Sequence, residues 1–383
     1  MLSIYLLSRK FVLAALAAFE LAAASGQPAR EEILRTLEKI PHPASAADFK
    51  PVPHLPCMNQ GNTQICWSFA TCSFIESEMA RLQETPVRLS VIYPVYCQFL
   101  EKARYFVQTK GASRFDPGDL FTGVPEACRK YGALPAEAYE KLPNRERLDQ
   151  TRLYSELQDW MREVKAHHLW DEAQVLSGLR DILNRHLGEP PASFSFNQKR
   201  YTPQSFFDQV VRLPWSDYLM FTSFEYAPFN SFTEFKVPDN WRHNTNYFNL
   251  PLPAFYRVLT NALQTGFSVA VSIDTTEPSY ETTGQYACIP DADIPAAAIT
   301  QDAREFRFRN GTTTDDHAVH IIGYGQFAGQ DWFLAKDSSP TAWRAPNQGC
   351  LFLHDSYVKL KILAFLVHRD GVPRELRAPR AGQ

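Results

Sequence analysis

The apolar positions of this chain fall into two textures. Residues 66–82 carry a helical pattern with no Pro or Gly, and Phe69, Ser73, Ile75 and Met79 spread over several faces. Ser90 is placed to cap a second helix that carries Tyr93, Tyr96 and Phe99. Residues 136–188, rich in Glu, Leu, Arg and Lys, keep helical periodicity until Leu187 and Gly188 give way to Pro190 and Pro191. They read as a helical insert. Residues 201–250 are aromatic and turn-rich. A helix over 254–264 then stops at Gly266, and residues 267–273 alternate as a strand. Residues 317–324 and 332–335 read as further strands. Upstream, residues 27–56 hold a short charged helical stretch over 31–40 and an extended run through Pro51, Pro53 and Pro56. Helices first and strands later is the α+β pattern.

The N-terminus has a different character. Arg9 and Lys10 precede an apolar run over 11–24, broken only by Glu20, and Ala22 and Ala24 form an A-x-A pattern. This is the pattern of a secretory signal peptide over residues 1–25, cleaved near Ala24. As a helix the run spans only about 21 Å, short of the roughly 30 Å bilayer core, so stable membrane insertion is not expected. The reading is a secreted or periplasmic protein, with a cytoplasmic one as the alternative if the run is a buried helix.

Composition narrows the function. The chain has 383 residues, of which 45% are hydrophobic and 21% charged, enough to bury a core. Lys and Arg number 39 against 42 Asp and Glu, a net charge of −3 that argues against a nucleic-acid binder. No internal repeat and no polytopic membrane pattern is present. Seven cysteines, Cys57, Cys66, Cys72, Cys97, Cys128, Cys288 and Cys350, leave at least one outside any disulfide. The other six allow up to three bridges in fifteen pairings. No C-x-x-C occurs, so a zinc ribbon or thioredoxin-type site has no support.

Three segments carry chemistry. In Q-G-N-T-Q-I-C-W-S-F-A (residues 60–70), Cys66 opens a helix after a polar, Gly-containing loop. The positive end of the helix dipole and unpaired N–H groups favour thiolate there. Gln60 can supply an N–H to an oxyanion beside the N–H of Cys66. The bland alternative for Cys66 is a core residue or a disulfide partner. In T-D-D-H-A-V-H-I-I-G-Y-G (residues 314–325), alternation puts His317 and Val319 on one face and His320 on the other. A Cys nucleophile needs a base near neutral pH, and His317, at the start of the strand, suits that role. His320 reads as a satisfied, partly buried histidine. A metal site of Asp315, Asp316, His317 and His320 is disfavoured by the opposite faces; no metal or cofactor is expected. In F-L-A-K-D-S-S (residues 333–339), Asp337 can accept from the imidazole and hold its tautomer; alone it would pass for a turn aspartate.

Together these segments are far more specific. Q-x5-C-W-S-F-A, D-H-A-V-x-I-x-G-Y-G and a polar residue before Ser338 resemble the papain-like cysteine peptidases. The long spacing and extra segments resemble the bleomycin hydrolase/aminopeptidase C group. The likeness runs from about residue 51 to 373. It includes K-Y-G-A-L-P (130–135), L-G-E-P-P (187–191), Y-T-P-Q-S-F (201–206), V-P-D-N-W (237–241) and L-V-H-R-D (366–370). It implies a two-lobe fold: a helical lobe with the nucleophile over 26–135, a helical insert over 136–200, and a β-rich lobe with the histidine and a tail over 201–383. It implies peptide substrates, with Cys66 as nucleophile, His317 as general base and acid, Gln60 as oxyanion donor and Asp337 in the usual Asn place. It also implies aminopeptidase activity, a chain end reaching the cleft, and a homo-oligomer, hexameric in that group. Two departures stand out. Thr63-Gln64 replaces the usual Ser-Gly or Cys-Gly, and Asp337-Ser338-Ser339-Pro340 replaces Asn-Ser-Trp-Gly, with Trp343 as the candidate shield for the imidazole contact. The alternative readings are an impaired pseudoenzyme that binds peptides and a disulfide-stapled secretory protein.

Overall fold

The computed structural model describes residues 35–83, 87–140, 149–283, 285–344 and 347–378. The leader expected over 1–25 and the first four residues of the helical stretch expected over 31–40 lie outside the described residues. Five helices longer than one turn come first among the described residues: α1 (Cys66–Gln83), α2 (Ile92–Gln108), α3 (Gly123–Tyr131), α4 (Thr151–Ala166) and α5 (Glu172–Leu187). A small hairpin, β1 (Phe194–Phe196) and β2 (Lys199–Tyr201), follows. The second half holds β3 (Tyr218–Thr222), β4 (Ser231–Thr233), β5 (Tyr247–Asn249), α6 (Leu252–Gln264), β6 (Val269–Ile273), α7 (Pro278–Thr283) and β7 (Tyr286–Ala287). It continues with α8 (Gln301–Arg309), β8 (His317–Phe327), β9 (Gln330–Lys336), β10 (Cys350–His354), α9 (Asp355–Lys361) and β11 (Ile362–His368). The larger sheet runs in the order β4-β5-β3-β11-β6-β8-β9-β10-β7. Its pairs are antiparallel except β3 with β5 and β7 with β10.

The sheet separates two cores by strand alternation. Val269 and Val271 of β6, Val319 and Ile321 of β8, and Phe365 and Val367 of β11 pack with α6 and α9. Ala270, Ala318 and Leu366 face the other way, into the core of the helical lobe. α1 lies on that face against β8 and β6. Every residue of α1 from Trp67 to Met79 is buried, so its surroundings are protein on all sides. That explains the absence of a single apolar stripe in its sequence. Several of its polar residues find partners nearby: Thr71 Oγ1 donates to Trp67 O at 2.7 Å and Ser68 Oγ to Val91 O at 2.6 Å. Glu76 is paired with Arg88 at 3.0 Å and accepts from Leu89 N–H at 2.9 Å. The next helix begins at Ile92, with Val91 at the cap position, but Ser90 Oγ still accepts from Tyr93 N–H at 3.1 Å.

Three features aim the sheet at α1. The extended N-terminal segment crosses β8: Val52 N–H donates to Ile322 O at 2.8 Å, and Phe49 and Pro51 pass so close to Gly323 that a Cβ there would sit 3.5 and 3.6 Å from them. The approach to β8 is held by Asp274. Its Oδ2 accepts from Thr314 N–H at 2.6 Å, and Tyr357 O–H donates to its backbone oxygen at 2.6 Å. Lys361, fully buried, lies 3.3 Å from Asp274 and 2.6 Å from Glu277 and donates to Thr312 O at 3.0 Å. Beyond β11 the chain docks on α6, where Asn261 Nδ2 donates to Gly371 O at 2.7 Å, Arg257 pairs with Glu375, and Ala378 is buried in the second core.

Lys361→Ala leaves buried Asp274 without its cation and Glu277 with only the more distant Arg307, 3.9 Å away. An uncompensated buried charge costs about 3–5 kcal/mol. Denaturant unfolding of the variant is expected to show a loss of that size with an unchanged slope; a loss under about 1 kcal/mol would show that water reaches Asp274 and Glu277.

Candidate active site

Cys66 is the first residue of α1, where backbone N–H groups have no acceptor within the helix. The loop before it is folded on its own side chains. Gln60 Nε2 donates to Thr63 O at 2.9 Å, and Thr63 Oγ1 donates back to Gln60 O at 2.9 Å. Gln60 is also fixed to the β-rich lobe: its N–H donates to Ser338 O at 2.7 Å, and Ser338 Oγ–H donates to its Oε1 at 2.6 Å. The Gln60 amide has two N–H bonds, so the second remains for a ligand.

The helical insert braces the same loop. Gln64 N–H donates to Tyr154 Oη at 3.3 Å, and Tyr154 O–H donates to Gln150 Oε1 at 2.5 Å. Asn62 Nδ2 donates to Thr151 Oγ1 at 3.1 Å, and Gln150 N–H to Asn62 O at 3.3 Å. Of the two positions that depart from the usual Ser-Gly, Gln64 is thus anchored from α4 and Thr63 from Gln60 within the loop.

His317 opens β8 and is nearly buried. Its Nε2 lies 2.8 Å from Asp337 Oδ1, which leaves Nδ1 free, and Cys66 is near enough to act on the ring electrostatically. Burial pulls the imidazole down, but the Asp337 carboxylate and Cys66 outweigh it and hold His317 well above its usual 6.5. Burial would raise Asp337, yet His317, Tyr280 and the Ser339 N–H hold it below its usual 3.8. The pair is imidazolium and carboxylate. Its contribution to stability is complete between about pH 3.8 and 6.5, the unfolded values, and fades as pH falls through the depressed Asp337 value or rises through the raised His317 value.

Asp337 follows β9 directly and is 1% exposed. Both oxygens are satisfied: Oδ1 accepts from His317 and from Ser339 N–H at 2.8 Å, and Oδ2 from Tyr280 O–H at 2.5 Å and Ser339 Oγ at 3.1 Å. Tyr280, from α7, also places its ring 6.5 Å from the His317 ring. It flanks the imidazole contact, the place expected for a Trp. Trp343 lies instead against Gly349, whose ideal Cβ would meet its ring at 2.9 Å. Tyr280, Ser338, Ser339 and Tyr154 are the site residues that sequence reasoning missed.

The remaining candidates part company. His320 is fully buried, with Nδ1 2.9 Å from Ser73 Oγ and its ring edge-on to Phe74. Burial and the neighbouring Lys336 charge push it well below its usual value. Asp316 turns to Thr275, accepting from its N–H at 2.9 Å and its Oγ1 at 3.0 Å. Among the described residues no group of three or more His, Cys, Asp and Glu is arranged to hold a metal.

Among solved structures, the chain is similar to PepW from Lactobacillus rhamnosis, with a TM-score of 0.67 and 18% identity over 88% of this chain and 84% of that one. The chain has the papain-like fold. Papain-like cysteine peptidases also stand in two looser matches: a structure concerning the mite allergens Blo t 1 and Der p 1 (13% identity, TM-score 0.42, 86% of this chain and 73% of that one) and digestive procathepsin L 3 of Tenebrio molitor larval midgut (15%, 0.40, 88% and 78%). No protein-family model matches the chain and neither does any curated protein sequence. In this papain-like frame the helical lobe supplies Cys66 and the β-rich lobe supplies His317 and Asp337, so the three meet where α1 packs on β8.

Two predictions test this geometry. In Asp337→Asn, Oδ1 still accepts from the imidazole and Nδ2 can donate to Tyr280 Oη, so the ring stays in place without its countercharge. The His317 titration, read by imidazole NMR, is expected to move to lower pH; an unmoved titration would show that Asp337 does not set it. In Tyr154→Phe the Gln64 N–H loses its acceptor, and the loop is expected to loosen at a cost of about 1 kcal/mol. Faster amide exchange at residues 61–65 checks this, and unchanged exchange would show that α4 does not brace the loop.

Proposed function

We propose that this chain is a cysteine peptidase that cleaves peptide bonds through an acyl-enzyme. The observation that carries the reading is the His317–Asp337 pair at 2.8 Å across from Cys66, which acts on the same imidazole, with Gln60 pinned by Ser338. Cys66 Sγ attacks the carbonyl carbon, with His317 as the group that takes up its proton. The developing oxyanion is met by the Cys66 N–H and the second N–H of Gln60. His317 then protonates the leaving amine. Water, deprotonated by the same imidazole, hydrolyses the thioester and frees Cys66. Asp337 holds the ring in the tautomer and orientation that both half-reactions need.

The finer reading is an aminopeptidase, supported by the sequence likeness to the aminopeptidase C group. Hydrolysis of fluorogenic aminoacyl amides is expected from the protein and is expected to vanish in Cys66→Ala. Residual turnover in Cys66→Ala near the parent rate would remove the nucleophile assignment. Asp337→Ala, which leaves the imidazole unheld, is expected to lower kcat roughly a hundredfold or more with little change in KM. The exopeptidase reading is tested on one peptide with a free and an acetylated N-terminus. At least about a tenfold preference for the free amine supports it, and equal cleavage would make the enzyme an endopeptidase. A chain ending at Ala378 keeps the docking on α6 and asks separately whether the last five residues contribute to that preference.

A further inference from the structure

Cys57 and Cys350 approach within 3.6 Å, sulfur to sulfur, although 293 positions separate them in the chain. All seven cysteines are described and free, and this is the one sulfur–sulfur contact among them. Both residues are partly buried, whereas Cys72, Cys97, Cys128 and Cys288 are fully buried. The backbone is shaped around the contact. Gly349 has φ +83°, and a Cβ on it would lie 2.7 Å from Cys57 Cβ, so only glycine lets the chain pass there and deliver Cys350. The two thiols also sit on the two arms that hold the site. Cys57 is three residues before Gln60. Cys350 begins β10, opposite Lys336 in register, and the preceding Gly349 O accepts from Asp337 N–H at 2.8 Å.

We propose that Cys57 and Cys350 are a redox-active pair that closes to a disulfide, tying the segment that carries Gln60 to the strand that backs Asp337. The inference does not depend on the peptidase reading. A small sulfur shift separates the observed contact from a bond of about 2.05 Å. Cys350 is the first attacker. Either sulfur can donate across the contact; the hydrogen bond with Cys57 lowers the Cys350 thiol against the opposing effect of burial, and the nearby Lys336 ammonium adds to this. The oxidant is a small-molecule disulfide of the glutathione type. Cys350 thiolate attacks one of its sulfurs and expels the first thiolate, which takes up a proton. Cys57 then gives its proton to solvent, attacks Cys350 Sγ and expels the second thiolate. Two protein S–H bonds become one S–S bond, and the donor's S–S bond takes the two electrons and two protons as two thiols.

The test uses full-length Cys66→Ala protein, so that the partly buried thiol at the head of α1 cannot trap the donor. The protein is equilibrated with stepped ratios of oxidised to reduced glutathione, alkylated and mapped by mass spectrometry, and its thermal midpoint is measured. The expected result is one internal cross-link joining the Cys57 and Cys350 peptides, a loss of two alkylatable thiols, and a midpoint about 5 °C or more higher, because the bond closes a very long loop in the unfolded chain. Adding Cys57→Ser or Cys350→Ser is expected to remove both effects. Full alkylation of both thiols at every ratio, capping of each by glutathione without a cross-link, or cross-links confined to other cysteines would each overturn the proposal.

Discussion

A carboxylate taken out of water must be surrounded by donors, and the site is arranged around that requirement at Asp337. Its two oxygens draw in an imidazole, a phenol, a hydroxyl and a backbone N–H from β8, α7 and its own turn. Each of these must be in place for the charge to be tolerated, since a buried ion with partners missing costs several kcal/mol. The same demand fixes the turn after β9, where Asp337 N–H reaches Gly349 and Ser339 doubles back to its neighbour's side chain. An Asn in this position would need fewer donors. The charge therefore explains why Tyr280 and Ser339 crowd this site, and why the imidazole beside them is held as imidazolium.

The cysteine side is built by a different logic. Cys66 needs only a helix start and a rigid loop, and the rigidity is imported. Ser338 clamps Gln60 from the β-rich lobe, while Tyr154, Thr151 and Gln150 clamp Asn62 and Gln64 from the insert. The bulk of Thr63 and Gln64 is thereby absorbed: Thr63 is buried on the loop's own carbonyl and Gln64 is tied to α4. Because Ser338 directly follows Asp337, one turn positions both the imidazole's partner and the oxyanion candidate. The two halves of the site are thus coupled through adjacent residues rather than assembled independently.

What was legible in the sequence was whatever is encoded locally. The start of α1 at Cys66, the strand beginning at His317 and the acceptor after β9 each follow from a short motif and its periodicity, and the structure brings the three together. The unread part is what arrives from far away. Tyr280 stands 57 positions from Asp337, on a six-residue helix too short to carry a period. Tyr154 stands 90 positions from Gln64. The burial of α1 on all sides erases the stripe that would have marked its inner face. Trp343 was the sequence's obvious candidate for an aromatic shield, yet Gly349 and Cys57 hold that region and a phenol with a hydroxyl to donate serves a carboxylate better than an indole ring does.

The polar layer behind the site shows how two lobes with separate cores stay in register. β9 alternates, so Lys336 and Asp337 point to opposite sides of the strand. Lys336 turns toward α1 and donates to Ser73 Oγ at 2.6 Å and to Leu55 O at 2.7 Å. Ser73 in turn meets His320, and Arg88 reaches from the pair with Glu76 to Pro56 O at 2.8 Å. Burial lowers the Lys336 ammonium, as it must for a cation with no directly bonded carboxylate. A greasy contact here would allow α1 to slide on β8, because apolar surfaces are not directional. Hydrogen bonds from one lysine to a helix hydroxyl and to the N-terminal segment permit one register only. That register sets where the head of α1 stands relative to the start of β8, and hence whether Cys66 meets His317.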